Sequence, residues 1–159
     1  PDVIYNRIEY LASGLECRVI FLDHLSILLS GLDGDERRMI DSTMTRLRSL
    51  VERTGITLYL VSHLRRSNSD SNSHEEGGRV SLGQLRGSHS ISQISDTVIA
   101  LERDQQSEDA NNITTVRVLK NRYSGEVGVA TRLTYDLSTT NFYETTTEEQ
   151  PEFDPSVDF

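Results

Sequence analysis

The residues of this 159-residue chain whose types and spacing could do chemistry are few, and they sit where apolar runs stop. VIFL, at positions 19–22, ends on Asp23 and His24, and ITLYLV, at 56–61, ends on Ser62 and His63. Helical periodicity separates the two runs, so they read as strands of one parallel crossover whose carboxyl ends point the same way. Open α/β sheets hold their ligands at that end. An aspartate there presents the oxygen anion that Mg²⁺ bound to a nucleoside triphosphate needs, although an aspartate capping a turn leaves the same trace. A histidine on the neighbouring tip can hydrogen-bond a phosphate and report its presence to the following loop, or serve only as a satisfied surface side chain.

A second group lies further on. Lys120 and Arg122 alternate on an apolar-patterned stretch, so both project to one face of a strand. A phosphoryl transition state spreads charge over its oxygens, and an arginine delivered from a neighbour stabilises it; solvated strand-end charges are the plainer alternative. Arg65, Arg66, Arg79 and Arg86 fall in or beside a polar stretch, where single-stranded nucleic acid would find basic contacts, but Asp70, Glu75 and Glu76 lie among them. His63, His74 and His89 with Glu75 and Glu76 do not have the H-E-x-x-H spacing of a metal site.

These residues need elements to position them. Ile4, Ile8 and Leu11 at helical spacing, with Gly14 after them, predict a helix over 2–13. Val19 to Leu22 read as a strand buried on both faces. A longer helix is expected from Asp35 to about Thr54, burying Met39, Ile40, Met44, Leu47, Leu50 and Val51 and ending at Gly55. After the 56–61 strand, residues 65–80 read as a mobile loop, 81–96 as a turn and a short helix, 97–103 as a strand, and 114–135 as two strands joined at the SGEVG turn. The fold class is α/β, a mainly parallel sheet flanked by helices. One globular unit is expected over 1–144, followed by a disordered acidic tail over 145–159.

The net charge of −9 is unevenly spread: seven acids and no Lys or Arg follow Arg132, which leaves residues 1–132 at −2. The single cysteine, Cys17, excludes an internal disulfide and suits a reducing compartment. No apolar run has the length of a membrane span, and no signal-peptide pattern opens the chain, so no membrane partner is expected.

Four blocks in order, VIFLDHLSI, VSHLR, HEEG with LRGSHSISQISDTVIALERDQQ, and VLKNRYSGEVG, together resemble the carboxyl-terminal part of the RecA-like ring helicases of the DnaB class, and most closely the bifunctional primase-helicases of small tailed phages. The resemblance covers most of residues 1–135. It implies a RecA-like P-loop NTPase core. Asp23 matches the Walker B acid that holds Mg²⁺, and His63 with Gln93 matches the pair that senses the γ-phosphate of ATP or dTTP. Arg122 matches the arginine finger that reaches the neighbouring subunit, with Lys120 as its companion, and Arg103 and Tyr135 match positions that pack near the nucleotide. The 65–79 loop with Arg65, Arg66 and Arg79, and the turn Arg86, Gly87, Ser88, match elements that hold single-stranded DNA in the channel of a hexameric ring. The tail ends SVDF, and Phe159 matches a terminal aromatic that docks on the replicative DNA polymerase.

One departure is large. No G-x-x-x-x-G-K-[ST] phosphate loop occurs in the chain, so the expected core is partial and the chain alone is expected to be inactive. The simplest expectation is that the chain is the second half of a helicase domain, truncated or cleaved ahead of its first helix. The expected function is the motor of a replicative DNA helicase at the fork in the cytoplasm of a bacterial host. The alternatives are a RecA-like ATPase of the recombinase type and a non-catalytic module that docks a polymerase.

Overall fold

Asp2–Ser13 form α1. Its side chains Tyr5, Ile8 and Ala12 are buried, with Ile4 and Leu11 partly so, which turns the expected apolar stripe by one residue. The second long helix, α3 (Glu36–Thr54), starts where the Asp35 carboxylate accepts the Arg37 N–H at 2.9 Å. That contact satisfies one of the donors a helix start leaves open. The helix stops at Gly55, whose φ of 69° is left-handed and whose N–H returns to the Val51 carbonyl at 2.8 Å. Such a terminus favours glycine because a Cβ is disfavoured there.

Those helices cover one side of a short sheet. In the computed structural model, which describes residues 2–29, 34–64, 77–85 and 89–145, β1 (Val19–Leu22) pairs in parallel with β2 (Thr57–Leu60), in the register Val19 to Thr57 and Leu22 to Leu60. Between β1 and α3 lies a short helix, α2 (Leu25–Leu29), that the sequence pattern does not separate from its flanks. Leu25, Leu28 and Leu29 join Ile40, Met44, Leu47 and Leu50 of α3, Ile20 of β1 and Ile56 in one core. Across the helix pair, Arg46 lies 4.0 Å over the Tyr5 ring and 2.8 Å from Asp2, and Arg53 reaches Glu9 at 3.0 Å.

The second sheet is antiparallel and carries the order β3 (Thr97–Glu102), β4 (Ile113–Asn121), β5 (Gly128–Asp136), β6 (Asn141–Glu144). A 3-10 turn (Leu82–Gln84) and α4 (His89–Ile94) precede it, and Ile91 of α4 inserts into the core. Parallel pairing is thus confined to β1 and β2; every other pairing among the described residues is antiparallel. The strand β6 extends the sheet into a stretch, 136–144, to which the sequence pattern assigned no element.

One expectation is corrected. Val19 to Leu22 are buried on one face only: Ile20 is buried, whereas Phe21 is 71 % exposed and stacks on Tyr59 at 4.6 Å. The reason is that α1, α2 and α3 all lie on one side of the pair, and no described residue covers Val19, Phe21 and Tyr59. Ile99 and Leu101 of β3 are exposed as well. The tail over 146–159 and most of the 65–80 loop lie outside the described residues.

Where the chain re-enters at Gly77 it docks on the end of β3. Glu102, 8 % exposed, accepts the Val80 N–H at 2.8 Å and binds Arg117 Nε through both oxygens, at 2.9 and 3.0 Å. Burial pushes the Glu102 carboxyl up, but the Arg117 and Val80 hydrogen bonds and the charges of Arg117 and Arg79 outweigh it, and the net shift is downward. A carboxylate lowered in the folded state contributes stability that is fully present above its unfolded value and lost as pH falls through the folded one. Arg117→Ala should therefore lower the unfolding free energy by about 3 kcal/mol at neutral pH, because it leaves a buried carboxylate unpaired. Urea titrations should show the gap to wild type narrowing as pH falls below the ordinary glutamate range.

Candidate functional site

The parallel ladder carries the first pair of site residues. Past the ends of the strands, Val61 N–H donates to the Leu22 carbonyl at 3.0 Å and Leu25 N–H to the Val61 carbonyl at 2.9 Å, so the chains that leave the sheet stay side by side. Asp23 and His63 emerge there at the same end, both exposed. The His24 ring, next to Asp23, meets the His63 ring edge to face at 4.3 Å. The His24 Nδ1 atom is buried with no hydrogen-bond partner among the described residues. His24 is thus a residue of this site to which the sequence pattern assigned no role; its signal was the interruption of an apolar run by two polar residues rather than one.

An exposed carboxylate at a strand tip fits Mg²⁺ held together with phosphates. That ion keeps several waters and takes one or two carboxylates, unlike a metal caged wholly by protein. Among the described residues no group of three or more His, Cys, Asp or Glu side chains could form such a cage.

The second pair is gathered at the end of α4. Lys120 Nζ donates to the carbonyls of Ser92, Gln93 and Ser95 at 2.6, 3.1 and 2.8 Å, which uses all three donors of an ammonium. Arg122 donates from one Nη to Asp96 Oδ1 at 3.1 Å and from the other to the Gln93 carbonyl at 2.8 Å, while its backbone N–H reaches the Asp96 carbonyl at 2.9 Å. As the alternating spacing predicts, both cations reach one feature, and that feature is the helix end bearing Gln93. Cations belong there, because the last carbonyls of a helix carry partial negative charge and lack partners. Burial lowers the Lys120 ammonium's pKa first, the neighbouring Arg122 charge lowers it further, and Asp96 opposes them.

Asp96 is the hinge of this group and was not singled out in the sequence. Its second oxygen takes Arg48 of α3 at 2.7 Å, and Arg48 Nε also holds Glu52 at 2.6 Å. One carboxylate thus ties α3 to the turn after β4. Its neighbours in sequence, SQIS, carried the visible signal, whereas its arginine partners lie 26 and 48 residues away.

The other candidates are placed as follows. Arg103 follows β3 and is exposed. Tyr135 sits on β5, its ring 4.9 Å from Phe142 and its N–H donating to the Asn112 carbonyl at 2.8 Å. Arg79 is exposed beside the buried Val80. Arg65, Arg66, Arg86, Gly87, Ser88 and Phe159 lie outside the described residues.

With this geometry, residues 3–144 match the family described as the DnaB-like helicase C terminal domain. The chain belongs to that family. Among curated relatives of this DnaB-like domain, the DNA helicase/primase of Enterobacteria phage T3 is 43 % identical over 139 residues. That match takes in 87 % of this chain and 24 % of the relative, so the chain spans about a quarter of its length. Two solved structures share the RecA-like fold. One, an ATPase domain, has a TM-score of 0.70 at 22 % identity, over 89 % of this chain and 51 % of that one. The other, a DnaB-like replicative helicase solved in a study of its interactions with primase, has a TM-score of 0.69 at 20 % identity, over 87 % and 34 %.

The DnaB-like domain should depend on its Lys120 cap more than on its surface pairs. Lys120→Met removes the donor that three carbonyls share and should cost about 1–3 kcal/mol. Asp96→Asn, which weakens partly exposed ion pairs, should cost about 1 kcal/mol or less. Chemical denaturation of the two variants side by side checks the order.

Proposed function

We propose that this chain forms the part of a ring-shaped replicative DNA helicase motor that carries the metal-holding acid, the phosphate sensors and the arginine finger. The observation that carries the reading is that Asp23 and His63 follow the carboxyl ends of adjacent parallel strands, with His24 against His63, in a chain of the DnaB-like family. On this reading Asp23 holds the Mg²⁺ of ATP or dTTP, which supplies charge neutralisation at the phosphates. His63 and Gln93 contact the γ-phosphate, and Arg103 and Tyr135 flank the nucleotide. Arg122 is half exposed, and its guanidinium keeps donors beyond the two it spends on Asp96 and Gln93. Those donors serve the site of the next subunit in a hexamer, where an arginine stabilises the transition-state charge.

Lys120, with its donors committed to α4, contributes by holding Gln93 in place. The exposed face formed by Val19, Phe21 and Tyr59 suits cover by the rest of the RecA-like domain, including a phosphate loop, which this sequence does not contain. Single-stranded DNA is contacted by Arg65, Arg66, Arg79 and Arg86 with Gly87 and Ser88. The acidic tail docks the replicative polymerase through Phe159. The setting is the cytoplasm of an infected bacterium; among the described residues no helix is long and apolar enough to cross a membrane.

Subunit mixing tests the finger. Arg122→Ala subunits of the full-length protein, titrated into wild type, should depress nucleoside triphosphate hydrolysis more than in proportion to their fraction, because each spoils a neighbour's site. A strictly proportional decline would place Arg122 in its own subunit and remove the trans role. Asp23→Asn should reduce Mg²⁺-dependent hydrolysis by about a hundredfold or more, given the several kcal/mol that metal charge supplies. Loss of strand separation on a forked duplex in the same variants distinguishes a helicase from a recombinase-type ATPase.

A further inference from the structure

Glu102 is the one buried charged side chain among the described residues, and the chemistry proposed above does not use it. A well-packed apolar pair would hold the sheet at least as firmly as Glu102 and Arg117 do. What an apolar pair could not supply is an acceptor for the Val80 N–H, which Glu102 Oε1 meets at 2.8 Å.

Three features converge on that contact. Residues 77–80 are pinned at both ends: Val80 by Glu102, and Gly77 by its approach to Asp104, two residues past β3, where an added Cβ would lie 3.0 Å from the Asp104 Cβ at a φ of +72°. Arg79 lies between the pins and is exposed. The carboxylate's other partner, Arg117, belongs to β4, the strand that carries Lys120 at its far end and leads directly into Arg122. Arg103 follows Glu102 in the chain and is exposed where Glu102 is buried.

We infer that Glu102 is a positioning residue: by accepting the Val80 N–H while bound to Arg117, it holds Arg79 in fixed relation to the strand of Lys120 and Arg122, so that DNA contact and nucleotide state are mechanically joined. The inference rests on the helicase reading. It assigns the use of an ion pair here, where an apolar pair would also hold the sheet, to coupling between two sites.

Two double variants of the full-length protein isolate the Val80 contact. Glu102→Gln with Arg117→Met keeps an amide oxygen for Val80, whereas Glu102→Met with Arg117→Met keeps the volume and removes the acceptor. Hydrolysis is measured with and without oligo(dT), alongside thermal melting and the salt dependence of oligo(dT) binding. The glutamine variant should retain DNA stimulation within about twofold. The methionine variant should melt a few degrees below the glutamine variant, because the buried Val80 N–H loses its acceptor, and keep its DNA-free rate, but should need about tenfold more oligo(dT) for half-stimulation, the worth of one hydrogen-bonded contact. Its binding should also fall less steeply with salt, by a slope of about 0.7 for one phosphate that Arg79 no longer neutralises. A purely structural role would leave that slope unmoved. Equal behaviour of the two variants overturns the inference. So does loss of DNA-free and DNA-stimulated rates together with a collapsed melting point in the methionine variant, which would make the pair a fold element only. A wild-type protein whose hydrolysis ignores DNA overturns the helicase reading itself, and the inference with it.

Discussion

Two parallel strands cannot be joined by a tight turn, so the chain between β1 and β2 must cross over the sheet, and α3 is the crossover that does it. Its buried stripe, Ile40, Met44, Leu47 and Leu50, meets α1 and α2 on the same side of the strands. The packing fixes more than the core. With β1 and β2 held in parallel register, the chain must leave both at one end, and whatever polar residues follow them are brought together there. Asp23, His24 and His63 owe their proximity to that geometry and to the edge-to-face contact of the two histidine rings; no salt bridge or hydrogen bond links them among the described residues.

The second half of the site is assembled by a different force. The end of α4 offers carbonyls without helical partners, and β4 delivers two cations to them. Asp96 then receives Arg122 from one side and Arg48 from the other, which joins the antiparallel sheet to α3. Since α3 is also the crossover between β1 and β2, the two halves share one helix as their common support. Movement of the arginine-bearing turn therefore bears on the same element that sets the strand tips.

Much of this was legible in the sequence, and for identifiable reasons. Asp35 and Gly55 mark the limits of α3 because helix ends are chosen by local side-chain and backbone chemistry. Asp23 and His63 stood out because each ends an apolar run, and Lys120 and Arg122 because strand alternation puts them on one side. Residues whose importance depends on distant partners left no such mark. Asp96 needs Arg48 and Arg122, and Glu102 needs Val80 and Arg117, at separations that no local pattern encodes. Burial of β1 was misjudged for a related reason: an apolar strand records what it could pack against, not what lies over it in the described residues.

The charge distribution bears on how such a motor would hold DNA. Residues 1–132 are nearly neutral, and Arg38, Arg46, Arg48, Arg53, Arg117 and Arg122 are each engaged with an acid of the same chain. An arginine so occupied contributes little field at a distance, which reduces the cations per subunit that are available for phosphate contact. On the helicase reading, affinity must then come from repetition around a ring, where each further contact is made at high effective concentration. Weak contacts per subunit also suit translocation. A subunit that bound its phosphate tightly would release it slowly, and release, not capture, would limit each step along the strand.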